Sequence, residues 1–254
     1  MSAFDGTVGG PDASDDEGLN SLAIEKRMRR QRWACCRILY KIDEVDRHYS
    51  AKFHETSKLS IELVLIIFAH FFNRLWIVFS FILATFVGYF RYDVMLESLG
   101  YQPVNKEDLD FVARLRLGFT FTLYYALCLG VMVTSTQILK YTIRRPRPER
   151  LPHTSRLNNL RKAEDGTFSM PSGDSSAAAC FCFLYSYVLQ VPAIYLMLPL
   201  VMAGRVYYQC HWIADTMVGA CIGTFWGFMG YWQFSLIAPF LQLVAGPGTY
   251  IPME

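Results

Sequence analysis

Residues 117–148 read LGFTFTLYYALCLGVMVTSTQILKYTIRRPRP, an apolar run that ends abruptly in a basic, proline-containing turn. The 23 residues from Leu117 to Leu139 carry no charge. As a helix rising about 1.5 Å per residue, they are long enough to cross the roughly 30 Å hydrocarbon core of a bilayer. From Lys140 to Lys162 the chain then carries eight basic residues and one acid, Glu149. Positive charge beside a span sets topology, but topology needs no fixed spacing. This turn has one: Lys140, six residues, then Arg147-Pro148.

The same alternation repeats outward. Residues 59–90 are almost continuously apolar, interrupted at His70, Asn73 and Arg74. That block is too long for one span of about 20 residues. Two short spans turned at Asn73-Arg74 are the favoured reading, with an interfacial helix and one span from Leu75 as the other. Residues 91–116 form a mixed polar connection. Segments 175–190 and 192–208 part near Pro192, and 212–235 makes the last span. The 254 residues are 53% apolar and 18% charged, against about 45–50% and 25% in soluble domains. The expected fold is all-α, a multi-pass membrane bundle of five to six transmembrane helices. A water-soluble enzyme, a disulfide scaffold and a disordered chain are excluded.

Around this domain, placed at residues 59–240, lie three shorter regions. Residues 1–18 are acidic, Gly-rich and expected to be disordered. They have no apolar core of a signal peptide. Residues 19–58 set Arg27, Arg29, Arg30, Arg32 and Arg37 among Leu22, Ile24, Trp33, Ile38 and Leu39, which fits a basic amphipathic juxtamembrane helix or a solvated one. Residues 241–254 are a short tail. The seven cysteines show no metal or redox spacing and read as buried thiols; Cys35-Cys36, adjacent in a basic stretch, also fits acylation. Two spans in 59–90 put the basic N-terminal region in the cytoplasm and the Lys140 turn across the membrane. One span keeps both on the cytoplasmic side.

Two further polar groupings sit at helix ends. Pro171-Ser172-Gly173-Asp174 opens an apolar helix, and Arg205, five residues, His211, three residues, Asp215 closes one and opens the next. Together with the first turn they make an anion site. Lys140, Arg147 and Arg205 supply charge and forked donors for phosphate oxygens. Ser172 and Gly173 precede a helix, so their N–H groups and the helix N-terminus point at the same anion, and Gly173 allows close approach. His211 and Asp215 stand one helical turn apart. The carboxylate then holds one ring nitrogen and leaves the other free to attack phosphorus. Singly these features are ordinary: an Arg-rich turn, a helix start, a structural His. Their joint order is not.

The three groupings resemble the signature of the type 2 phosphatidic acid phosphatase superfamily, which includes the vanadium haloperoxidases: Lys-x6-Arg-Pro, Pro-Ser-Gly-His and Ser-Arg-x5-His-x3-Asp. The resemblance covers roughly residues 115–235. It implies a helical bundle, no metal or other cofactor, and a phospho-histidine intermediate resolved by water. By that resemblance Lys140, Arg147 and Arg205 bind the phosphoryl group, with Ser172 and Gly173 completing the cradle. His211 is the nucleophile and Asp215 orients it. The implied partners are a lipid phosphate or diphosphate and the bilayer, not nucleic acid; self-association is left open. No targeting address is readable in the sequence, and the endoplasmic reticulum membrane is the default expectation for the compartment.

Two positions depart from the signature. Gly204 replaces the Ser before Arg205. Asp174 replaces the His that, in the family, protonates the leaving group. A carboxyl titrates near 3.9 against 6.5 for imidazole, and neighbouring cations lower it further. Asp174 is therefore expected to be ionised and a poor acid, and losing general-acid help costs about 10²–10⁴-fold. Three consequences are open. The enzyme favours lipid diphosphates, isoprenoid ones among them, whose phosphate leaving group scarcely needs a proton. Otherwise His153 supplies the proton, or the protein is a lipid-phosphate-binding pseudoenzyme. A phosphotransferase resembling sphingolipid synthases is the remaining alternative.

Overall fold

The structure, a computed structural model, describes residues 37–54, 59–72, 74–91, 101–103, 111–149, 167–245 and 250–252. The first 36 residues, His153 and Cys35-Cys36 lie outside these. The chain divides into two compact units, 1–48 and 49–254. Of the first, only the start of helix α1 (Arg37–His54) is described, with an Arg47–Asp43 ion pair one turn apart at 2.8 Å. Such a surface pair is worth about 0.3–0.5 kcal/mol.

The second unit is a helix bundle. Helix α2 (Leu59–His70) and helix α3 (Arg74–Phe90) replace the long 59–90 block with two helices joined by a tight turn, where Phe72 takes φ 70°. His70 caps α2 through Nδ1 and the Ile66 carbonyl at 2.9 Å, so it serves the turn. Helix α4 (Phe111–Ile143) begins six residues before the apolar run and absorbs part of the expected polar connection. Helix α5 (Gly173–Leu189) follows, then a 3-10 turn at Pro192–Leu196, helix α6 (Met197–Tyr207) and helix α7 (Ile213–Ala245), which runs past residue 240. A three-residue antiparallel pair, β1 (Tyr101–Pro103) with β2 (Tyr250–Pro252), is the one addition to the helices among the described residues.

Helices α5 and α7 form the centre, with α4 along both, α3 on α4, and α6 against α2 and α5. Small residues let the axes close. A Cβ added at Gly223 of α7 would sit 2.0 Å from the Ser176 carbonyl of α5, and one at Gly118 of α4 would sit 2.6 Å from that of Thr85 in α3. Gly204 has the same reason: a Cβ there would meet Ala69 and the Leu65 carbonyl of α2 at 3.0 Å. The core between these axes is Leu117, Phe121, Tyr125, Phe181 and Tyr185, with Tyr185 donating to the Ser80 carbonyl at 2.9 Å. Burying each large side chain contributes about 1.5–3 kcal/mol.

The outer face is apolar as well. Val78, Ile82, Phe86 and Phe90 on α3, and Phe119, Leu123, Leu127 and Val131 on α4, stand four residues apart and exposed. Continuous apolar stripes facing outward on two neighbouring helices suit contact with lipid. Among the described residues α4 is long and apolar enough to cross a membrane, and 60–70, 76–90 and 192–207 are shorter apolar helices.

Candidate functional site

Four helix ends meet at one end of the bundle: the C-termini of α4 and α6 and the N-termini of α5 and α7. The sequence sets each stop and start. Arg144 ends α4 in the left-handed region, φ 53°, its N–H on the Lys140 carbonyl at 2.9 Å. Ser172 caps α5, its Oγ accepting from the Ser175 N–H at 3.3 Å. Asp215 accepts from the Trp212 N–H at 2.9 Å across the first turn of α7.

The ends gather the charged groups. Arg147 spreads its fork between the Thr167 hydroxyl (2.7 Å from Nη2) and the Cys210 carbonyl (2.6 Å from Nη1). The same Nη1 stands 3.3 Å from His211 Nε2. Arg205, 2% exposed, gives Nη1 to the Ala69 carbonyl at 3.2 Å and Nη2 to Asp174 at 2.6 Å. Lys140 is close enough to Arg147, Asp174 and Arg205 for their charges to act on it. The three predicted cations, Asp174, His211 and Asp215 thus share one site.

His211 is held differently from the expectation. It precedes α7 instead of lying in it, and its Nδ1 meets the Ser169 carbonyl at 2.7 Å, with Asp215 Oδ2 at 3.8 Å. A carbonyl only accepts, so Nδ1 carries the hydrogen and Nε2 keeps its lone pair towards Arg147. Burial and the nearby arginines push the imidazole down to about 3, against the pull of Asp215, so the ring is neutral at pH 7. Asp215 has a stronger partner: Arg145 Nη1 at 2.6 Å, with both side chains buried. Arg145 also lies over the Trp212 ring, 5.6 Å from its centroid.

Other expectations shift. The Ser172 N–H donates to the Asp215 backbone carbonyl at 3.0 Å, so it ties α5 to α7 and does not face an anion. Gly173 and Asp174 occupy the first helical positions, whose N–H groups have no partner within the helix. Nothing stands within 4 Å of a Cβ added at Gly173, so space is open above it. Asp174 lies outside the apolar stretch 175–190, and burial there outweighs Lys140 and Arg147. Its carboxyl is raised to about 7, not lowered. Tyr207, Tyr208 and Trp212 are buried under the site, whereas Tyr141 is exposed. Tyr208 donates to the Glu62 carbonyl at 3.0 Å and Trp212 to that of Pro146 at 3.0 Å. The cysteines described (Cys128, Cys180, Cys182, Cys210, Cys221) are free thiols.

Arg145, Ser169 and Ser50 were not singled out from the sequence. Ser169 ties its N–H to the Arg145 carbonyl at 2.8 Å, which fixes the carbonyl that holds His211. Ser50 accepts from the Ile213 N–H at 3.0 Å, capping α7 from α1. Only the Arg-x-Arg pattern in the first motif offered a signal, for Arg145.

The fold has a solved counterpart. The first transmembrane PAP2-type phosphatidylglycerolphosphate phosphatase from Bacillus subtilis matches with a TM-score of 0.57 at 17% identity, over 84% of this chain and 96% of that one. No curated protein matches the sequence. The PAP2 superfamily model matches residues 120–237. That matched stretch carries all three motifs.

Proposed function

We propose that this is an integral membrane lipid phosphate or diphosphate phosphatase that works through a phospho-histidine at His211. The observation that carries the reading is the tautomer of His211. Its Nδ1–H is committed to the Ser169 carbonyl, and its unprotonated Nε2 faces the side where Arg147 lies. The match of residues 120–237 to the PAP2 superfamily model, the likeness of the fold to a membrane phosphatase and the apolar outer stripes support the class and the bilayer setting.

In this mechanism Lys140, Arg147 and Arg205 hold the non-bridging oxygens, aided by the α5 N-terminus at Gly173. Nε2 attacks phosphorus in line while the ester or anhydride P–O bond breaks. The leaving oxygen takes the proton of Asp174. Positive charge arising on the ring is offset by Asp215, 3.8 Å from Nδ1 and kept in place by Arg145. Water then attacks phosphorus, Asp174 takes its proton, the P–N bond breaks with its electron pair returning to Nε2, and phosphate leaves. No cofactor enters these steps. The three cations do the work of charge neutralisation.

An Asp174 that titrates near neutrality is a usable acid below about pH 7 and a failing one above it. Lipid diphosphates, isoprenoid ones included, are then the preferred substrates at higher pH, because their phosphate leaving group needs a proton least. The endoplasmic reticulum membrane is the compartment we assign. The test is phosphate release by detergent-purified protein in EDTA from farnesyl diphosphate and phosphatidate, beside His211→Ala. Release lost in the variant supports the reading. No release from either lipid turns the assignment to a phosphotransferase or a binding protein, and equal turnover of phosphatidate across pH removes the diphosphate preference.

A further inference from the structure

In a cradle built to hold an anion, one arm already holds one. Arg205 Nη2 is 2.6 Å from the Asp174 carboxylate, while its Nη1 is anchored on the α2 carbonyl of Ala69 at 3.2 Å. Arg205 is buried at the end of α6, so its guanidinium has few other positions. A phosphoryl oxygen that takes the Nη2 hydrogen now aimed at Asp174 displaces the carboxylate from Arg205. We propose that Asp174 is a resident stand-in for a substrate oxygen, and that substrate, by displacing it from Arg205, makes Asp174 bind the very proton it then delivers to the leaving group. This rests on the phosphatase reading above and explains how an aspartate serves where a histidine is usual.

The charges around Asp174 set the sign. Lys140 faces it from α4, Arg147 from the turn after α4 and Arg205 from α6. At the start of α7, Asp215 is paired with Arg145, and His211 is neutral. Before binding, three cations favour the carboxylate against burial. After binding, the same cations are matched to a dianion, a second negative group sits beside the carboxylate, and both changes raise its proton affinity. The balance is one carboxylate, one substrate dianion and one proton from solvent giving a carboxylic acid beside a bound phosphoryl group. The acid proton then moves to the leaving oxygen as the P–O bond breaks and the N–P bond forms. Asp174 is a carboxylate again, ready to accept the proton of the attacking water.

Tungstate, a tetrahedral dianion that does not titrate between about pH 6 and 9, probes the binding half without turnover. Calorimetric titration of the full chain in detergent, at about pH 8 in two buffers of different ionisation heat, counts the protons taken up. The wild type should take up close to one per tungstate, and its Kd should rise about tenfold per pH unit above about 7. Asp174→Asn should take up about one proton fewer per tungstate than the wild type, show a correspondingly shallower pH dependence, and at about pH 8 bind roughly tenfold tighter than the wild type. Wild-type binding without proton uptake would overturn the proposal and leave the phosphatase reading standing, and that result needs no variant to fold. Uptake as large in Asp174→Asn as in the wild type would assign the proton to Lys140 and also overturn it. Failure of the wild type to bind tungstate at any pH would remove the cradle itself.

Discussion

Arg145 and Arg147 stand two residues apart on one turn and do different work. Arg145 is buried, closed on the Asp215 carboxylate at 2.6 Å and stacked over Trp212. Arg147 is more open, braced by neutral oxygens of Thr167 and Cys210, and faces the His211 lone pair. One cation fixes the base of the site and the other lines its working face. The same division separates Asp215, which belongs to the fold, from Asp174, which pairs with a cradle arm. Charge count alone does not reveal it, since the two arginines are chemically identical and separated only by Pro146.

The comparison is easiest to break at His211. Replacing it with Ala removes the nucleophile and should cost about 10⁴-fold or more in phosphate release. Next comes Asp174→Asn, which should lose about 10²–10⁴-fold on phosphatidate and less on a lipid diphosphate, read as kcat on each substrate. In the wild type, kcat/KM on phosphatidate should fall as pH rises through about 7, because above it the free enzyme must gain the acid proton on the way to the transition state. No acid limb from His211 should appear near neutrality.

On the structural side, Arg145→Met leaves Asp215 buried without its cation and should cost about 3–5 kcal/mol of stability, seen as a lower Tm. If activity per folded molecule falls far more than the Tm predicts, the bracing role extends to His211. The smallest effect is expected for Ser50→Ala, which removes the cap on Ile213 and should cost about 1 kcal/mol. A pH scan of stability adds a sign. The unfolded chain binds a proton on His211 near 6.5 and the folded one only near 3. That contribution is full above about 6.5 and is lost as pH falls towards 3, and His211→Ala should remove it.

What was legible in the sequence are the residues at helix ends whose spacing is tied to motif chemistry: Lys140, Arg147, Arg205, His211 and Asp215. The bundle followed from apolar runs whose lengths match helices, and the break at 70–74 became a turn. What was hidden depends on partners far along the chain. Ser50 caps a helix that starts 163 residues later, and Ser169 takes the role at Nδ1 that four-residue spacing gave to Asp215. The sign of the Asp174 shift was missed because neighbouring charges can be read from a motif and burial cannot.

The most direct measurement is a rapid quench of turnover with substrate carrying labelled phosphate, followed by alkali, which preserves phosphohistidine. The account predicts a transient label on His211 that is absent in His211→Ala and that persists longer in Asp174→Asn, where water attack lacks its base. Full turnover with no label on the protein, or turnover retained in His211→Ala, would contradict it.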